Sequence, residues 1–293
     1  MKFAIYSRGI EPDQLPVVQN LFTLLKKNNI SPLTWQPFYE QLKPHLPVPE
    51  PDGLFGKPED LEDNSIDCLI SLGGDGTLLD TVTLVGDKNI PVLGINFGRL
   101  GFLAGVSLDE LDIAVEALVN HTYVIDERTL IHVDSDPAVF GAAPYGLNEF
   151  SIHKNDLSPM IHIRTYLNGA FLNVYWADGL IISTPTGSTG YSVSCGGPIV
   201  FPESGSFVIT PIAPHNLNIR PIVVPDNHII SFEVEGRTDQ FICALDSRRE
   251  MVPRSTQIAV RKEQFSMPLI RLSENNFLQT LRNKLSWGLD KRN

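Results

Sequence analysis

The chain has 293 residues, of which 42% are hydrophobic and 19% charged, and its formal net charge is −11. This composition is ordinary for a globular protein with room for two domains. No block of lysine and arginine stands out, which argues against a nucleic-acid partner, because binding to a phosphate backbone needs a basic face. No apolar run approaches the ~18 residues of a membrane span, and the N-terminus lacks a charged and then apolar leader, so we expect a cytoplasmic protein with no membrane partner.

The three cysteines, Cys68, Cys195 and Cys243, are odd in number and far apart in the sequence. They form no Cys-x-x-Cys pair, so we expect neither a zinc site nor a disulfide framework, and a reducing compartment is favoured. Cys195 lies beside a glycine-rich segment, where a packed thiol is favoured over a catalytic one.

Strand and helix signals alternate along the first part of the chain, which predicts an α/β domain with a largely parallel sheet. We expect strands at 2–7, 33–35, 67–72 and 91–95, and helices at 14–28, 77–85 and 108–119. Ser107 and Glu110 fit a capping box at the start of the last of these helices. Residues 43–64 carry five prolines and several acids, a pattern typical of a long exposed or mobile loop.

The stretch Gly73-Gly74-Asp75-Gly76-Thr77 connects the predicted strand 67–72 to the predicted helix 77–85. Glycine lets the backbone take a positive φ and lets a ligand approach closely, and a helix N-terminus favours phosphate. A carboxylate at this position would repel phosphate, so it makes sense if it handles a proton or a Mg²⁺ ion. The alternative is a plain strand-to-helix turn with Asp75 as its N-cap.

From about Tyr123 to residue 270, short alternating runs predict a mostly β domain, a sandwich or layered sheets. Asn168-Gly169 between runs at 160–167 and 171–176 is a strong hairpin signal. Further strands are expected at 207–212, 228–235, 240–245 and 257–261. Four apolar residues at helical spacing between 277 and 285 predict a C-terminal helix that packs back on the first domain.

A second unusual segment, 178–197, follows the carboxylate of Asp178 with an apolar strand and then with a loop rich in glycine, serine and threonine. Such loops are usually solvated turns, but interleaved glycines let this one present hydroxyl and N–H groups to an anion. Tyr191 offers an aromatic face for stacking a base. Asn148 and Glu149 are either a polar pair at a strand edge or an amide and a carboxylate that grip ribose hydroxyls and the edge of a base.

Two common nucleotide motifs are absent from the sequence. There is no Gly-x-x-x-x-Gly-Lys-Ser/Thr, which excludes a P-loop enzyme. The dinucleotide fingerprint Gly-x-Gly-x-x-Gly fails at its third glycine, where Leu79 follows Gly74 and Gly76.

The turn at 73–77, the Asn-Glu pair at 148–149 and the segment at 178–197 together resemble the NAD kinase family, over roughly residues 65–250. The resemblance implies an N-terminal Rossmann-like α/β domain, a C-terminal β-sandwich domain, and ATP-dependent phosphorylation of the 2′-hydroxyl on the adenosine ribose of NAD. Asp75 is then the catalytic proton acceptor. The implied substrate-binding residues are Asp75, Gly76, Asn148, Glu149, Asp178, Thr186, Thr189, Gly190, Tyr191, Ser192, Val193 and Ser194, and the implied phosphate-binding residues are Gly73, Gly74 and Thr77.

The domains expected on this basis are an α/β nucleotide-binding domain (1–122), a β-rich dinucleotide-binding domain (123–272) and the C-terminal helix (273–293). The resemblance also implies a divalent metal ion, expected to be Mg²⁺, although no metal ligands can be named. It implies NAD and ATP as substrates, with polyphosphate as donor and NADH as acceptor left open. The chain is expected to form a homo-oligomer, a dimer or a tetramer, in which the second domain of one chain completes the pocket of its neighbour.

Two positions depart from the family pattern: Gly190 stands where alanine is commoner, and Arg248 where a glutamine is frequent. Two other functions stay open at this stage. One is a lipid kinase of the diacylglycerol or sphingosine type, which shares the Gly-Gly-Asp-Gly turn. The other is a non-catalytic NAD-binding regulator, which would tolerate the loss of Asp75.

Overall fold

The structure is a computed structural model that describes residues 1–45, 53–62, 66–98, 101–155, 160–237, 239–272 and 277–285. The chain divides into two compact units. Residues 1–127 and 268–293 form the first, called here the α/β unit, and residues 128–267 form the second, the β unit. The sequence-based division at 123 and 273 stays a prediction. No helix among the described residues is long and apolar enough to cross a membrane.

The first elements of the α/β unit alternate as the sequence predicts. They are β1 (Phe3–Tyr6), α1 (Leu15–Lys27), β2 (Leu33–Trp35), α2 (Gln36–Leu42), β3 (Gly53–Phe55), β4 (Cys68–Leu72), α3 (Asp75–Val85), β5 (Val92–Ile95) and α4 (Leu111–Asn120). Their strands pair in parallel in the order β5-β4-β1-β2-β3. The predicted capping box forms ahead of α4, where Glu110 accepts the N–H of Ser107 at 2.8 Å.

The remaining elements are mostly strands. They are β6 (Tyr123–Asp136), β7 (Tyr145–Gly146), β8 (Glu149–His153), β9 (Ile161–Leu167), β10 (Ala170–Ala177), β11 (Gly179–Ser183), α5 (Tyr191–Ser194), β12 (Ser206–Ile212), β13 (Ile222–Pro225), β14 (Ile230–Glu235), β15 (Gln240–Leu245), β16 (Arg248–Pro253), β17 (Gln257–Leu272) and α6 (Phe277–Leu285). Asn168 and Gly169 join β9 to β10 with φ of 48° and 82°, the turn that their sequence predicts.

Two sheets make up the β unit. One runs β10-β9-β14-β17, with β6 beside β17 and β7 beside β6, and the other runs β13-β12-β11-β8-β15-β16. Apolar residues of both sheets, among them Phe150, Tyr175, Phe207 and Phe241, form one buried core. The unit is therefore a β-sandwich, and the predicted fold class, an α/β domain followed by a β-sandwich domain, is confirmed.

The last residues of β17 return to the α/β unit. Leu269 of β17 pairs in parallel with Val92 of β5, and Ile270 and Leu272 join the core that α1 and α4 cover. The sequence predicted this strand only as 257–261, because polar residues and then Pro268 interrupt its apolar pattern.

The predicted exposed loop at 43–64 is wrong in two parts, one of which is a short 3₁₀ helix at Pro58–Leu61 that buries Leu61. Residues 53–55 form β3, because Gly53 pairs with Leu33 and the buried Phe55 ring packs edge-on against Trp35 at 5.2 Å. Residues 46–52 and 63–65 of that prediction lie outside the described residues.

Candidate active site

The Gly-Gly-Asp-Gly turn lies where β4 ends and α3 begins. Gly73 has a φ of 147°, a conformation that side chains rarely adopt, and a Cβ added there would lie 2.4 Å from Thr77 Oγ1. Gly74 is the N-cap residue of α3, and a Cβ on it would meet nothing within 4 Å. Since the first N–H groups of a helix lack partners within it, this open turn suits an anionic group.

Asp75 is held by the chain that follows β5. Its Oδ2 accepts the N–H of Phe102 at 2.8 Å, and its Oδ1 accepts those of Leu103 at 3.1 Å and Ala104 at 2.9 Å. A Cβ on Gly101 would lie 1.8 Å from the same Oδ1, so only glycine fits at this distance. Asp75 is the first residue of α3, and Gly74 is the N-cap residue. The position of the Asp75 carboxylate is set by three backbone donors.

Arg8 is a basic residue of this region that the sequence did not single out. Its Nε and Nη2 donate to the two oxygens of Asp80 at 2.5 and 2.6 Å, and Tyr6 donates to Asp80 Oδ2 at 2.8 Å. Burial first, and then the Asp80 carboxylate, raise the pKa of Tyr6. Arg8 Nη1 lies 3.4 Å from the position of a Cβ on Gly76, which brings a cation to the glycine turn. Arg8 and Asp80 are 72 positions apart in the sequence, which explains why no local pattern could reveal the pair.

In the β unit, the loop after β11 uses several of its hydroxyls to hold itself together. The hydroxyls of Thr184, Ser188 and Ser192 bond to Leu147 O at 2.6 Å, Pro185 O at 2.7 Å and the Thr210 hydroxyl at 2.8 Å. The expectation that this loop presents its hydroxyls to a ligand therefore does not hold for these three buried side chains. Serine and threonine density alone could not distinguish internal bonds from exposed ones.

The predicted binding residues that reach the surface cluster in the second half of that loop. Tyr191 and Ser194 are exposed, and Thr189, Gly190 and Val193 are half-buried. Thr186 is buried and accepts a hydrogen bond from Arg128 Nη1 at 3.3 Å.

Asn148 is brought directly against this loop. Its backbone carbonyl accepts the N–H of Thr184 at 2.9 Å, and a Cβ on Gly187 would lie 2.1 Å from that carbonyl oxygen. Glu149 pairs with Ser183 across the sheet. The two predicted motifs thus form one cluster, and Gly187 is required for their close approach.

Glu149 carries a carboxyl group whose pKa is strongly raised. Burial first, and then the charge of Asp246, raise the pKa of Glu149 to about 8. Its Oε2 is buried and has no hydrogen-bond partner among the described residues. A Cβ on Gly190 would lie 3.4 Å from this oxygen, so the glycine at 190 leaves the carboxyl group uncrowded where an alanine would touch it.

Tyr191 and Asp178 are the remaining predicted binding residues of this segment. The Tyr191 ring stacks on His153 with a centroid separation of 5.9 Å and an interplanar angle of 17°, and burial, followed by the charge of Arg249, lowers the pKa of His153. Asp178 forms an ion pair with Lys154 at 2.8 Å. It precedes β11 at the end opposite Ser183, roughly 17 Å away along an extended strand, so one chain does not bring Asp178 beside Glu149.

Side chains able to bind a metal ion are dispersed. Among the described residues, no group of three or more His, Cys, Asp or Glu side chains is arranged to hold one. Asp75 already accepts three N–H groups, and Asp80 is bonded to Arg8 and Tyr6. These residues do not form a ready cage for Mg²⁺, an ion that commonly takes most of its ligands from water and substrate phosphates.

An α/β unit with a Gly-Gly-Asp-Gly turn, together with a β-sandwich unit, is the combination that the sequence resemblance implies for a kinase acting on a dinucleotide. Comparison with known proteins resolves the family. The ATP-NAD kinase N-terminal domain profile matches residues 55–123, and the ATP-NAD kinase C-terminal domain profile matches residues 147–272.

Full-length relatives agree with the two domain matches. The chain is 48% identical over 294 residues to an NAD kinase of Cytophaga hutchinsonii, and 43% identical over 295 residues to one of Flavobacterium johnsoniae, in both cases covering 100% of each chain. This chain belongs to the NAD kinase family.

Solved structures share the fold. A yeast NADH kinase complexed with NADH superposes with a TM-score of 0.88 at 22% identity, covering 100% of this chain and 89% of that one. An NAD kinase from Archaeoglobus fulgidus in complex with ATP superposes with a TM-score of 0.74 at 24% identity, covering 98% and 99% of the two chains.

Proposed function

We propose that this protein is an NAD kinase that transfers the γ-phosphoryl group of ATP to the 2′-hydroxyl on the adenosine ribose of NAD, giving NADP and ADP. The observation that carries the proposal is the 48% identity, over the whole length of both chains, to a protein named NAD kinase. The alternative of a lipid kinase draws no support from these relatives.

Asp75 is proposed as the proton acceptor. As the 2′-oxygen bonds to the γ-phosphorus, the bond from that phosphorus to the β-phosphate bridging oxygen breaks, and the hydroxyl proton passes to the Asp75 carboxylate. Phosphoryl transfer depends mainly on positioning and on stabilising negative charge. The three backbone donors at Phe102, Leu103 and Ala104 supply the positioning, since they fix both carboxylate oxygens.

Phosphate groups are proposed to bind at the turn formed by Gly73, Gly74 and Gly76, through the N–H groups at the start of α3. The N–H of Gly73 itself donates to the Ile95 carbonyl at 2.9 Å, so the proposed part of Gly73 is to leave room for the phosphate. Thr77 is buried beneath Gly73, so its proposed part is to shape the turn as well as to contact phosphate. A divalent ion, proposed to be Mg²⁺, accompanies the ATP phosphates and supplies charge neutralisation there. No protein cage is assigned to it.

The dinucleotide is proposed to bind the cluster in the β unit. In this proposal the Asn148 amide and the Glu149 carboxyl group contact ribose hydroxyls or the edge of a base, and Tyr191 stacks on a base of the dinucleotide. The contacts proposed around them come from Thr189, Gly190, Val193 and Ser194, with Thr186 and Ser192 supporting the loop from below. Asp178 is proposed to contribute from a neighbouring chain, because it lies at the far end of β11.

The proposal includes a homo-oligomer, a dimer or a tetramer, and a cytoplasmic location. Exposed apolar side chains on the β unit, such as Phe171, Trp176 and Met251, support self-association, because burial of such surface is favourable. Sedimentation of a single monomeric species at working concentration would refute the oligomer.

The experiment that tests the activity incubates the purified protein with NAD, ATP and Mg²⁺ and measures NADP with an NADP-specific dehydrogenase. We expect NADP to accumulate in proportion to protein and to require ATP. Binding of NAD without NADP formation would favour a regulator, and phosphorylation of diacylglycerol or sphingosine in place of NAD would favour a lipid kinase.

A further inference from the structure

The tight turn between β15 and β16 is bonded to the Asn148–Glu149 segment. Asp246, in this turn, accepts the N–H of Leu147 with Oδ2 at 2.7 Å, and those of Asn148 and Glu149 with Oδ1 at 2.8 and 3.1 Å. Its own N–H donates to the carbonyl of Glu149 at 3.0 Å. One residue therefore makes four hydrogen bonds to the backbone of three consecutive residues.

Arg248, two residues further on, bonds to the chain just before that segment. Its guanidinium donates to the carbonyls of Ala143 and Tyr145, the latter at 2.5 Å, and lies 5.7 Å from the centre of the Phe140 ring. Asp246 accepts from N–H groups and Arg248 donates to carbonyls, so the two charges hold opposite kinds of backbone group.

The segment is held from the other side by the loop after β11. The Thr184 hydroxyl donates to the carbonyl of Leu147 at 2.6 Å, and the Thr184 N–H donates to that of Asn148 at 2.9 Å. The bonds of Asp246 and Thr184 engage the backbone of residues 147–149, and those of Arg248 engage the carbonyls of Ala143 and Tyr145. None of them uses the Asn148 amide or the Glu149 carboxyl group, which are the groups proposed to contact the dinucleotide.

The choice of residue at 246 indicates more than a need for a tight turn. Asp246 has a φ of 52°, a conformation that glycine or asparagine adopts at less cost. An aspartate in a turn usually bonds to backbone close in sequence, whereas this carboxylate bonds to residues 97 to 99 positions away. Burial of a carboxylate is costly unless several donors satisfy it, and here three donors do so.

We propose that Asp246 and Arg248 are positioning residues that set the backbone of Asn148 and Glu149 for binding of NAD. The inference rests on the proposed function, because that function assigns the dinucleotide to Asn148 and Glu149. It also gives Arg248 a defined task, because its guanidinium donates to two carbonyls of the chain that leads into this segment.

The test compares Asp246→Asn with Asp239→Asn, a matched control that removes a carboxylate 96% exposed in the same unit. Asp246→Asn turns one acceptor oxygen into a donor that faces an N–H group. We expect the KM for NAD to rise about 10- to 100-fold, which corresponds to the loss of one charge-assisted hydrogen bond. The KM for ATP should stay unchanged. Simple destabilisation would instead lower the active fraction and leave both KM values alone.

Arg248 provides a second pair of variants in case Asp246→Asn fails to fold. Arg248→Met keeps much of the side-chain length and loses the donors, whereas Arg248→Gln keeps an N–H₂ group. We expect Arg248→Met to raise the KM for NAD and Arg248→Gln to restore most of the loss. Equal KM values for NAD in the two variants and in the wild type would overturn the role of Arg248.

Hydrogen exchange of a peptide covering residues 145–153 provides a readout independent of activity. Faster exchange in Asp246→Asn than in Asp239→Asn, together with the higher KM for NAD, supports the proposal. Unchanged exchange overturns it, even in a protein that makes NADP. Faster exchange with an unchanged KM for NAD also overturns it, because NAD would then bind without the bonds that Asp246 makes to this backbone. Absence of NADP formation by the wild type is the separate result that refutes the kinase activity itself.

Discussion

Replacement of Asp75 by asparagine tests the proposed proton acceptor. The carboxylate accepts three N–H groups, two at Oδ1 and one at Oδ2. An asparagine can keep its oxygen towards Leu103 and Ala104, and its N–H₂ group then faces the N–H of Phe102. One charge-assisted bond is lost, about 1.5–3 kcal/mol, which corresponds to a fall in Tm of roughly 3–12 °C for a unit of this size.

The expected effect on turnover is larger than the effect on folding. Removal of a general base typically lowers kcat about 10²- to 10⁴-fold, whereas the asparagine preserves the shape of the site. We therefore expect NAD binding, measured by calorimetry, to stay within a few-fold of wild type while kcat falls by that factor. Assays should be run well below the Tm of the variant.

Asp87→Asn is the matched control, because Asp87 is an exposed carboxylate just beyond α3. It removes the same charge from the same unit and should leave kcat unchanged. A kcat for Asp75→Asn within a few-fold of wild type would refute the assignment of Asp75. Equal losses in Asp75→Asn and Asp87→Asn would point to net charge as the cause.

Gly101→Ala places a methyl carbon 1.8 Å from Asp75 Oδ1 and should displace the carboxylate, with a loss of kcat of about 10²-fold; a wild-type kcat would contradict the packing described here. Burial raises the pKa of Glu149 from 4.5 to about 8, so its contribution to stability is full below pH 4.5 and is lost as the pH rises to about 8. The Tm of Glu149→Gln minus that of the wild type should therefore increase from pH 4.5 to about 8 and stay constant at higher pH. A constant difference from pH 5 to 8 would exclude the raised pKa of Glu149. Mixed oligomers of inactive Asp75→Asn and Tyr191→Ala should regain partial activity if the two residues serve one pocket from different chains, and mixed oligomers that stay inactive would place them in the same chain.

Local signals in the sequence predicted much of the fold. Gly73-Gly74 marks the turn before α3, and Asn168-Gly169 marks the turn between β9 and β10, because in each case a glycine takes a positive φ that other residues resist. Periodicity predicted α1 and most strands. It missed α2, a helix of seven residues that buries only Phe38 and Leu42, too few for an amphipathic pattern.

Long-range partners account for most of what the sequence could not predict in the candidate site. The side chains of Asp75, Asp80 and Asp246 each bond to residues between 27 and 99 positions away. Nothing within a window of a few residues distinguishes these aspartates from exposed ones. Only Asp75 was singled out, because its glycine neighbours marked it.

The path of β17 has a consequence for how the protein is made. The α/β unit is interrupted after Glu127 and resumes only at Pro268, so a nascent chain completes the β unit before the ribosome has added Leu269, which pairs with Val92. Until then β5 lacks that neighbour, and the core lacks Ile270 and Leu272, each worth about 1.5–3 kcal/mol when buried. Translation halted before Pro268 would leave the glycine turn at Asp75 on a sheet without this strand, so folding of the α/β unit has to wait for the synthesis of β17.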